Sequence, residues 1–299
     1  MYDIVIIGAG TAGLTAGIYA ARSNKKVLII EASSFGGQII NSNKIDNYPG
    51  LYHISGFDYS KKLYDQAISL GCDYLNKKAL EFNKLDNYFE VNTIDDVIKT
   101  KSIILAVGVT NRKLNLENED KFIGKGISYC ATCDGNFFRN KDVAVIGGGN
   151  TALDDALYLS DICNKVYLVH RRDSFRGSSS TLDKLREKDN VSIIVNSTVN
   201  ELIGEDKLDG ISLIDNLGNN KIINVSCLFV AIGQIPENNN LLKDINVDNN
   251  GYIITDDEMH TNISHIYASG DIRSKNLRQL VTASSDGAIA AVTAIKELN

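Results

Sequence analysis

The chain has 299 residues, 43% hydrophobic and 23% charged, with a formal net charge of −6. That length suits two domains, each large enough for its own core, and the acidic balance argues against a nucleic-acid-binding face. No stretch approaches the ~18 apolar residues of a membrane span. The amino terminus enters an apolar run at once, without a cationic leader. Five cysteines, an odd number, do not suggest a secreted disulfide framework. The expected setting is a reducing, cytoplasmic compartment.

In chain order, Asp3 to Ile7 reads as a buried parallel strand because it is a continuous β-branched run. It feeds Gly8-Ala9-Gly10-Thr11-Ala12-Gly13, a helical stretch from Leu14 to about Ser23, and a second strand, Lys26 to Ile30, that ends at Glu31. This is a dinucleotide-binding pattern: Gly8 for the tight turn, Gly10 for close approach of a pyrophosphate, Gly13 for close helix packing. The pyrophosphate would sit at the helix amino terminus, where free N–H groups and the dipole favour negative charge. Glu31, 23 residues after Gly8, would accept hydrogen bonds from an adenosine ribose.

Between Glu31 and the next regular element, Gly36-Gly37-Gln38 and Asn47-Tyr48-Pro49-Gly50 form a polar, turn-rich segment suited to wrapping a cofactor. Phe57 to Leu70 looks helical and Tyr88 to Ile98 alternates like a strand or hairpin. Ile103 to Gly108 is a further buried strand ending at glycine.

Cys130-Ala131-Thr132-Cys133-Asp134 follows. Two thiols at this spacing close a disulfide within one local turn, and such a pair cycles between disulfide and dithiol. Asp134 would raise rather than lower a neighbouring thiol's pKa, so it suits a proton donor for the departing sulfur. A structural zinc site wants four ligands, and Cys72, Cys163 and Cys227 are isolated with no histidine at ligand spacing.

A second copy of the nucleotide pattern begins 14 residues after Cys133. Asp142 to Ile146 is a strand, Gly147-Gly148-Gly149-Asn150-Thr151-Ala152 opens a helix to about Asp161, and Lys165 to Val169 is the next strand. His170 stands 23 residues after Gly147, the interval that separates Gly8 from Glu31. The chemistry there is reversed. Arg171, Arg172 and Arg176 replace the acid, and guanidinium groups form charge-assisted, often bidentate bonds to a 2′-phosphate that a carboxylate would repel. The first unit is therefore expected to hold FAD or NAD, and the second NADP(H). With a redox dithiol in the same chain, FAD in the first unit is the economical assignment, since two nicotinamide sites would lack a mediator. Leu228 to Gly233, which includes Ile232, repeats the strand-to-glycine pattern of the first half. His265 to Ala268, followed by Ser269-Gly270-Asp271, places a carboxylate at a strand's carboxyl end, where open α/β sheets bind ligands. A small-residue helix follows Arg278-Gln279-Leu280.

The set GAGTAG with Glu31, GGQ, CATCD, GGGNTA, HRRDSFR, FVAIG and ASGD, in this order over essentially the whole chain, resembles low-molecular-weight bacterial-type thioredoxin reductase. The resemblance implies an α/β fold of two Rossmann-like, three-layer ββα dinucleotide-binding domains, the second inserted into the first. An FAD domain of residues 1–113 and 242–299 would flank an NADPH domain of 114–241 carrying the CxxC. It implies NADPH-dependent thioredoxin-disulfide reductase activity, a homodimer and thioredoxin or a thioredoxin-like partner. Cys133 would face the flavin, Cys130 would attack thioredoxin and Asp134 would be the acid. Gly8, Gly10, Thr11, Ala12, Gly13, Glu31, Gly37, Gln38, Asn47, Gly270, Asp271, Arg278, Gln279 and Leu280 would hold FAD. Gly147, Gly149, Asn150, Thr151, His170, Arg171, Arg172, Arg176, Ile232 and Gly233 would hold NADPH. The chain departs from the pattern at Thr11, where many members have proline, and at Ser285, where glycine is common.

Dithiol and nicotinamide sites share one domain yet must both reach the flavin. A swivel about crossings near Asn111 to Leu116 and Gly233 to Leu241 is therefore expected. Rival readings are a reductase fed by ferredoxin, an oxidase passing electrons to oxygen, and a flavin redox sensor without turnover.

Overall fold

The computed structural model describes residues 1–42, 44–236 and 240–298. The chain divides into two compact units, Met1–Thr110 with Ile235–Asn299, and Asn111–Gln234. Among the described residues no helix is long and apolar enough to cross a membrane.

The first unit opens with strand β1 (Tyr2–Ile7), helix α1 (Thr11–Arg22) and strand β2 (Val27–Glu31). Helix α2 (Gly56–Ser69) and strands β3 (Asp73–Asn76), β4 (Glu81–Lys84), β5 (Phe89–Asn92), β6 (Val97–Leu105) and β7 (Val109–Asn111) follow. β1 is covered on both sides, which is why it carries no polar alternation: Ile4 and Ile6 pack toward the helices, Val5 and Ile7 toward Phe89, Val91 and Leu241. The tight turn after β1 holds Gly8 at φ +108°, a region open to glycine at little cost. A Cβ at Gly13 would lie 1.9 Å from the Gly8 carbonyl oxygen, so only glycine lets α1 settle on the turn.

The run Val97–Leu105 is one nine-residue strand where the sequence suggested a hairpin and a separate strand. Its first part, Val97 to Thr100, pairs antiparallel with β5, and Thr100 to Leu105 pairs parallel with β1. The polar residues that look like a break are buried and satisfied. Thr100 donates to the Ser102 carbonyl at 2.9 Å, and Ser102 donates to the Asp3 carbonyl at 3.0 Å.

The second unit contains helix α3 (Glu119–Phe122), strand β8 (Ile127–Ser128), helix α4 (Ala131–Asp134), strand β9 (Asp142–Ile146), helix α5 (Asn150–Ser160), strand β10 (Lys165–Val169) and helix α6 (Ser179–Arg186). Strands β11 (Val191–Ile194), β12 (Ser197–Ile203), β13 (Gly210–Asp215), β14 (Asn220–Asn224) and β15 (Cys227–Val230) follow, and β16 (Gln234–Pro236) spans the boundary back to the first unit. Five strands form a parallel sheet, β11-β10-β9-β15-β8, and β12-β13-β14 an antiparallel meander. Val143 and Val145 pack toward α5, while Ala144 and Ile146 pack toward the meander residues Leu202, Ile211 and Leu213. Period-two alternation in β9 thus serves two different cores, giving the three layers of the expected α/β fold.

The chain returns to the first unit through strand β17 (Ile266–Ala268) and helix α7 (Leu280–Glu297). β17 pairs parallel with β6, completing a seven-stranded sheet. α7 lies against α1 through small residues: a Cβ at Gly287 would lie 2.1 Å from the Ala12 carbonyl oxygen. β7 and β16 form a two-stranded ladder, and the division between units falls within it. The sequence-based boundaries, 113 and 241, lie three and seven residues further along than Thr110 and Gln234. Residues 237–239 of the expected second crossing lie outside the described residues.

A charged clamp secures the end of α7. Glu297 accepts hydrogen bonds from Tyr267 Oη at 2.6 Å and His260 Nε2 at 2.7 Å, and His260 Nδ1 meets Asp256 Oδ2 at 2.8 Å. The two carboxylates raise the His260 pKa and are themselves held low by their partners. The clamp is thus complete between the carboxylate and imidazole titrations. The imidazolium contribution is fully present below the unfolded histidine value near 6.5 and is lost as pH rises through the raised folded value. Because the group is solvent-screened, His260→Gln is expected to cost less than ~1 kcal/mol. Urea midpoints should separate wild type from variant at pH 6 and converge by pH 9; a constant difference would contradict the assignment.

Candidate active site and nucleotide sites

Strand β8 delivers the chain to the dithiol. Cys130 and Cys133 are joined in a disulfide with Cα atoms 5.3 Å apart. The pair is half-buried, and Ala131 between them is fully buried in the helix-side core, fixing the turn. Gly135 follows closely against α5, where a Cβ would lie 2.9 Å from the Tyr158 ring and 3.0 Å from Leu159. Ser128 Oγ donates to Asp134 Oδ2 at 2.6 Å and accepts the Cys130 N–H at 3.1 Å, so one hydroxyl ties the acid to the backbone of the first cysteine. Burial pushes the Asp134 carboxyl up, with the Ser128 bond pulling the other way. A carboxyl so placed can hold a proton closer to neutrality than an exposed aspartate and return it to sulfur.

The other thiols are structural. Cys72 and Cys163 are buried and pushed up to about 11, and burial likewise drives Cys227 well above the ordinary thiol value. Thiols that stay protonated are poor nucleophiles. Among the described residues no three His, Cys, Asp or Glu side chains gather as a metal site.

At the first glycine turn, α1 begins at Gly10 without a side-chain cap, leaving its early N–H groups open, and nothing lies within 4 Å of where a Gly10 Cβ would stand. Glu31 Oε2 accepts the Ala9 N–H at 2.7 Å, holding the acid beside the turn. Gly37 packs against Gly10, and Gln38 Nε2 donates to the Val109 carbonyl. Asn47 Nδ2 donates to Gln279 Oε1 at 2.9 Å, and Gln279 caps α7, of which Leu280 is the first residue. Gly270 packs on Ala12, where a Cβ would lie 2.8 Å from the alanine methyl. Asp271 Oδ1 is buried without a hydrogen-bond partner; Lys275 Nζ stands 3.5 Å away, at ion-pair range only. Arg278 donates to the Asp271 and Arg273 carbonyls and stacks on Tyr252 with its guanidinium 3.9 Å from the ring centre. Open space over glycine, an uncapped helix start and an orphaned carboxylate oxygen together fit a bound dinucleotide.

The second turn repeats the pattern. α5 starts at Gly149 without a side-chain cap and with open space at the glycine. The Gly148 carbonyl accepts the Arg176 N–H at 2.7 Å, and Asn150 Oδ1 accepts the Ser178 N–H at 2.8 Å, so the arginine segment is folded over the turn by backbone bonds. Arg171, Arg172 and Arg176 are exposed, and none of the ion pairs among the described residues involves them. His170 differs from its sequence neighbours. Its ring is buried against Gly148, where a Cβ would lie 2.2 Å from Cε1, and Nε2 faces the Ser174 carbonyl at 3.2 Å. Burial lowers its pKa, so the ring is a neutral packing element beneath the turn. Thr151 is exposed on the first turn of α5, and Ile232 and Gly233 follow β15, Gly233 accepting the Arg112 N–H at 3.0 Å.

Two nucleotide-type turns and a cystine flanked by a half-buried acid define a nucleotide-linked disulfide redox protein. The chain belongs to the pyridine nucleotide-disulphide oxidoreductase family, whose family model matches residues 2–287. It is 40% identical over 292 residues to thioredoxin reductase of Treponema pallidum, covering 97% of this chain and 95% of the relative. Thioredoxin reductase of Bacillus subtilis is 37% identical over 294 residues, 97% of this chain and 93% of the relative. The crystal structure of the Streptococcus pyogenes thioredoxin reductase superposes with a TM-score of 0.94 at 39% identity, covering 100% of this chain and 98% of that one.

Sequence reading missed three features. Ser128 had no motif to mark it. Asp155, on α5 one turn before the residues that hold Gly135, is pushed up to about 7 by burial and by the adjacent Asp154, yet it reads as an ordinary helix acid. Arg273, Lys275 and Asp286 form a buried ionic cluster beside Asp271. The only signal for it was the spacing of Lys275 four residues after Asp271.

Proposed function

We propose that the protein is an NADPH-dependent thioredoxin-disulfide reductase. The carrying observation is a cystine with its own half-buried acid in the same unit as three arginines at a glycine turn that, among the described residues, form no ion pair. The first unit would hold FAD through the Gly8–Gly13 turn, Glu31 and Asp271, and the second would hold NADPH through the Gly147–Gly149 turn and Arg171, Arg172 and Arg176. Bound FAD supplies the two-electron relay between a nicotinamide hydride and a disulfide.

The chain's own chemistry follows from the dithiol state. The Cys130 thiolate attacks one sulfur of the partner's disulfide, forming a mixed disulfide and expelling a partner thiolate that takes up a proton. Cys133 then attacks Cys130, restoring the cystine and releasing the second partner thiol. Asp134 holds and returns the proton that the cysteine sulfurs shed and regain. The partner is a thioredoxin or thioredoxin-like protein, and the enzyme is a cytoplasmic homodimer on its likeness to the thioredoxin reductases.

Anaerobic titration of the purified protein tests this. NADPH should bleach the flavin, NADH should do so poorly, and oxidised thioredoxin should restore the colour. A flavin that stays reduced when oxidised thioredoxin is added would overturn the reading.

A further inference from the structure

Asp286, buried, and Asp271, whose side chain is 34% exposed, are two carboxylates at one turn, and Arg273 and Lys275 are the cations that contact them. Asp286 is 6% exposed and its partners are fully accounted for. Oδ1 meets Arg273 Nη1 at 2.9 Å; Oδ2 accepts the Gly270 N–H at 3.1 Å and Lys275 Nζ at 2.9 Å. Arg273 is committed elsewhere, to Thr255 Oγ1 at 2.7 Å and the Asp256 carbonyl at 3.3 Å. Arg278 spends its donors on the Asp271 and Arg273 carbonyls and lies over Tyr252, with Asp248 among its charged neighbours. Among the described residues Lys275 alone has an ion-pair contact with the Asp271 side chain, at 3.5 Å from Oδ1, and the lysine side chain is 12% exposed against 34% for the aspartate.

We propose that Lys275, held in place by Asp286, keeps the Asp271 carboxylate ionised for the flavin and thereby sets the acid limit at which the protein retains FAD. The inference rests on the flavin reading of the first unit. As a carboxylate, Asp271 can only accept hydrogen bonds, which suits the hydroxyl groups of a flavin side chain; protonated, it loses much of that capacity. Burial pushes Asp271 up, and Lys275 and then Arg278 pull it back. The four charges, Arg273, Lys275, Asp271 and Asp286, balance. Removing Lys275 leaves Arg273 on Asp286 and only the more distant Arg278 acting on Asp271, so Asp271 takes a proton at a higher pH. Binding that requires the ionised form weakens tenfold for each pH unit below the apoprotein value. Asp286 acts at one remove: it touches the lysine and the turn, and is a positioning residue.

The test is release of FAD, followed by free-flavin fluorescence in the absence of substrate, for wild type, Lys275→Gln, Lys275→Arg and Asp271→Asn between pH 8 and pH 4.5. Lys275→Gln should hold FAD within about threefold of wild type at pH 8, and lose it with a midpoint about one pH unit higher, the scale on which a neighbouring charge acts. Lys275→Arg should restore the wild-type midpoint, and Asp271→Asn should bind more weakly with the pH dependence flattened. Identical release curves for Lys275→Gln and wild type would overturn the proposal. Should Lys275→Gln not fold, the Asp271→Asn curve decides: an undiminished pH dependence there removes Asp271 as the titrating group. A wild-type protein that takes up no FAD at pH 8 would instead sink the flavin reading itself.

Discussion

Replacing Cys133 by serine is expected to lower NADPH-dependent reduction of a disulfide protein at least ~10³-fold, the scale on which loss of a nucleophile acts, while NADPH still bleaches the flavin. The hydroxyl cannot form the Cys130–Cys133 bond that stores the electron pair. No other thiol can stand in, because Cys72, Cys163 and Cys227 are buried and held protonated well above neutral pH. Cys130→Ser should be equally inactive in turnover, since the cystine needs both sulfurs. Stopped-flow absorbance separates the two half-reactions. Turnover within tenfold of wild type in either variant would mean that electrons reach the partner by another route.

Neutralising the arginines at the second turn has the next largest expected effect. Arg171→Ala combined with Arg172→Ala should raise the KM for NADPH about 10- to 100-fold and leave that for NADH within about twofold. A hydrogen bond between charged groups contributes roughly 1.5–3 kcal/mol, and 1.4 kcal/mol is tenfold in affinity. Exposure of both side chains places the effect at the lower end for each. The discrimination arises because NADH lacks the 2′-phosphate, so it never made the lost contact. Steady-state kinetics with both nucleotides decide the matter. Equal loss with NADPH and NADH would assign the arginines to the shared part of the dinucleotide, or to folding of the turn.

Much of this was legible in the chain because the relevant chemistry is local. The two glycine turns, the strand before each and the helix after each lie within about thirty residues, and steric limits on backbone geometry act at that range. The cystine is equally local, three residues apart and closed by one turn of α4. Less local features were hidden. Thr100 and Ser102 look like the polar gap between two strands, yet both lie within one strand as buried hydroxyls, satisfied by the carbonyls of Ser102 and of Asp3 on β1. His170 occupies the position of a ribose ligand by spacing, but its ring direction depends on Gly148 leaving room beneath the turn. Asp155 carries no motif, since its shift comes from packing around α5.

The amino-acid sequence by itself determined the two nucleotide-type units, the reversal of charge between Glu31 and the Arg171–Arg176 segment, and the redox pair. Each depends on residue type at short spacing, which no later packing can alter. Tertiary structure alone decided that Ser128 supports Asp134, and that Asp286, thirteen and eleven residues from Arg273 and Lys275, gathers both cations beside Asp271. The Asp286 contacts exist only once α7 is seated on α1 with a fixed rotation, because a buried charge finds its partner through the packing of whole elements rather than through neighbours along the chain.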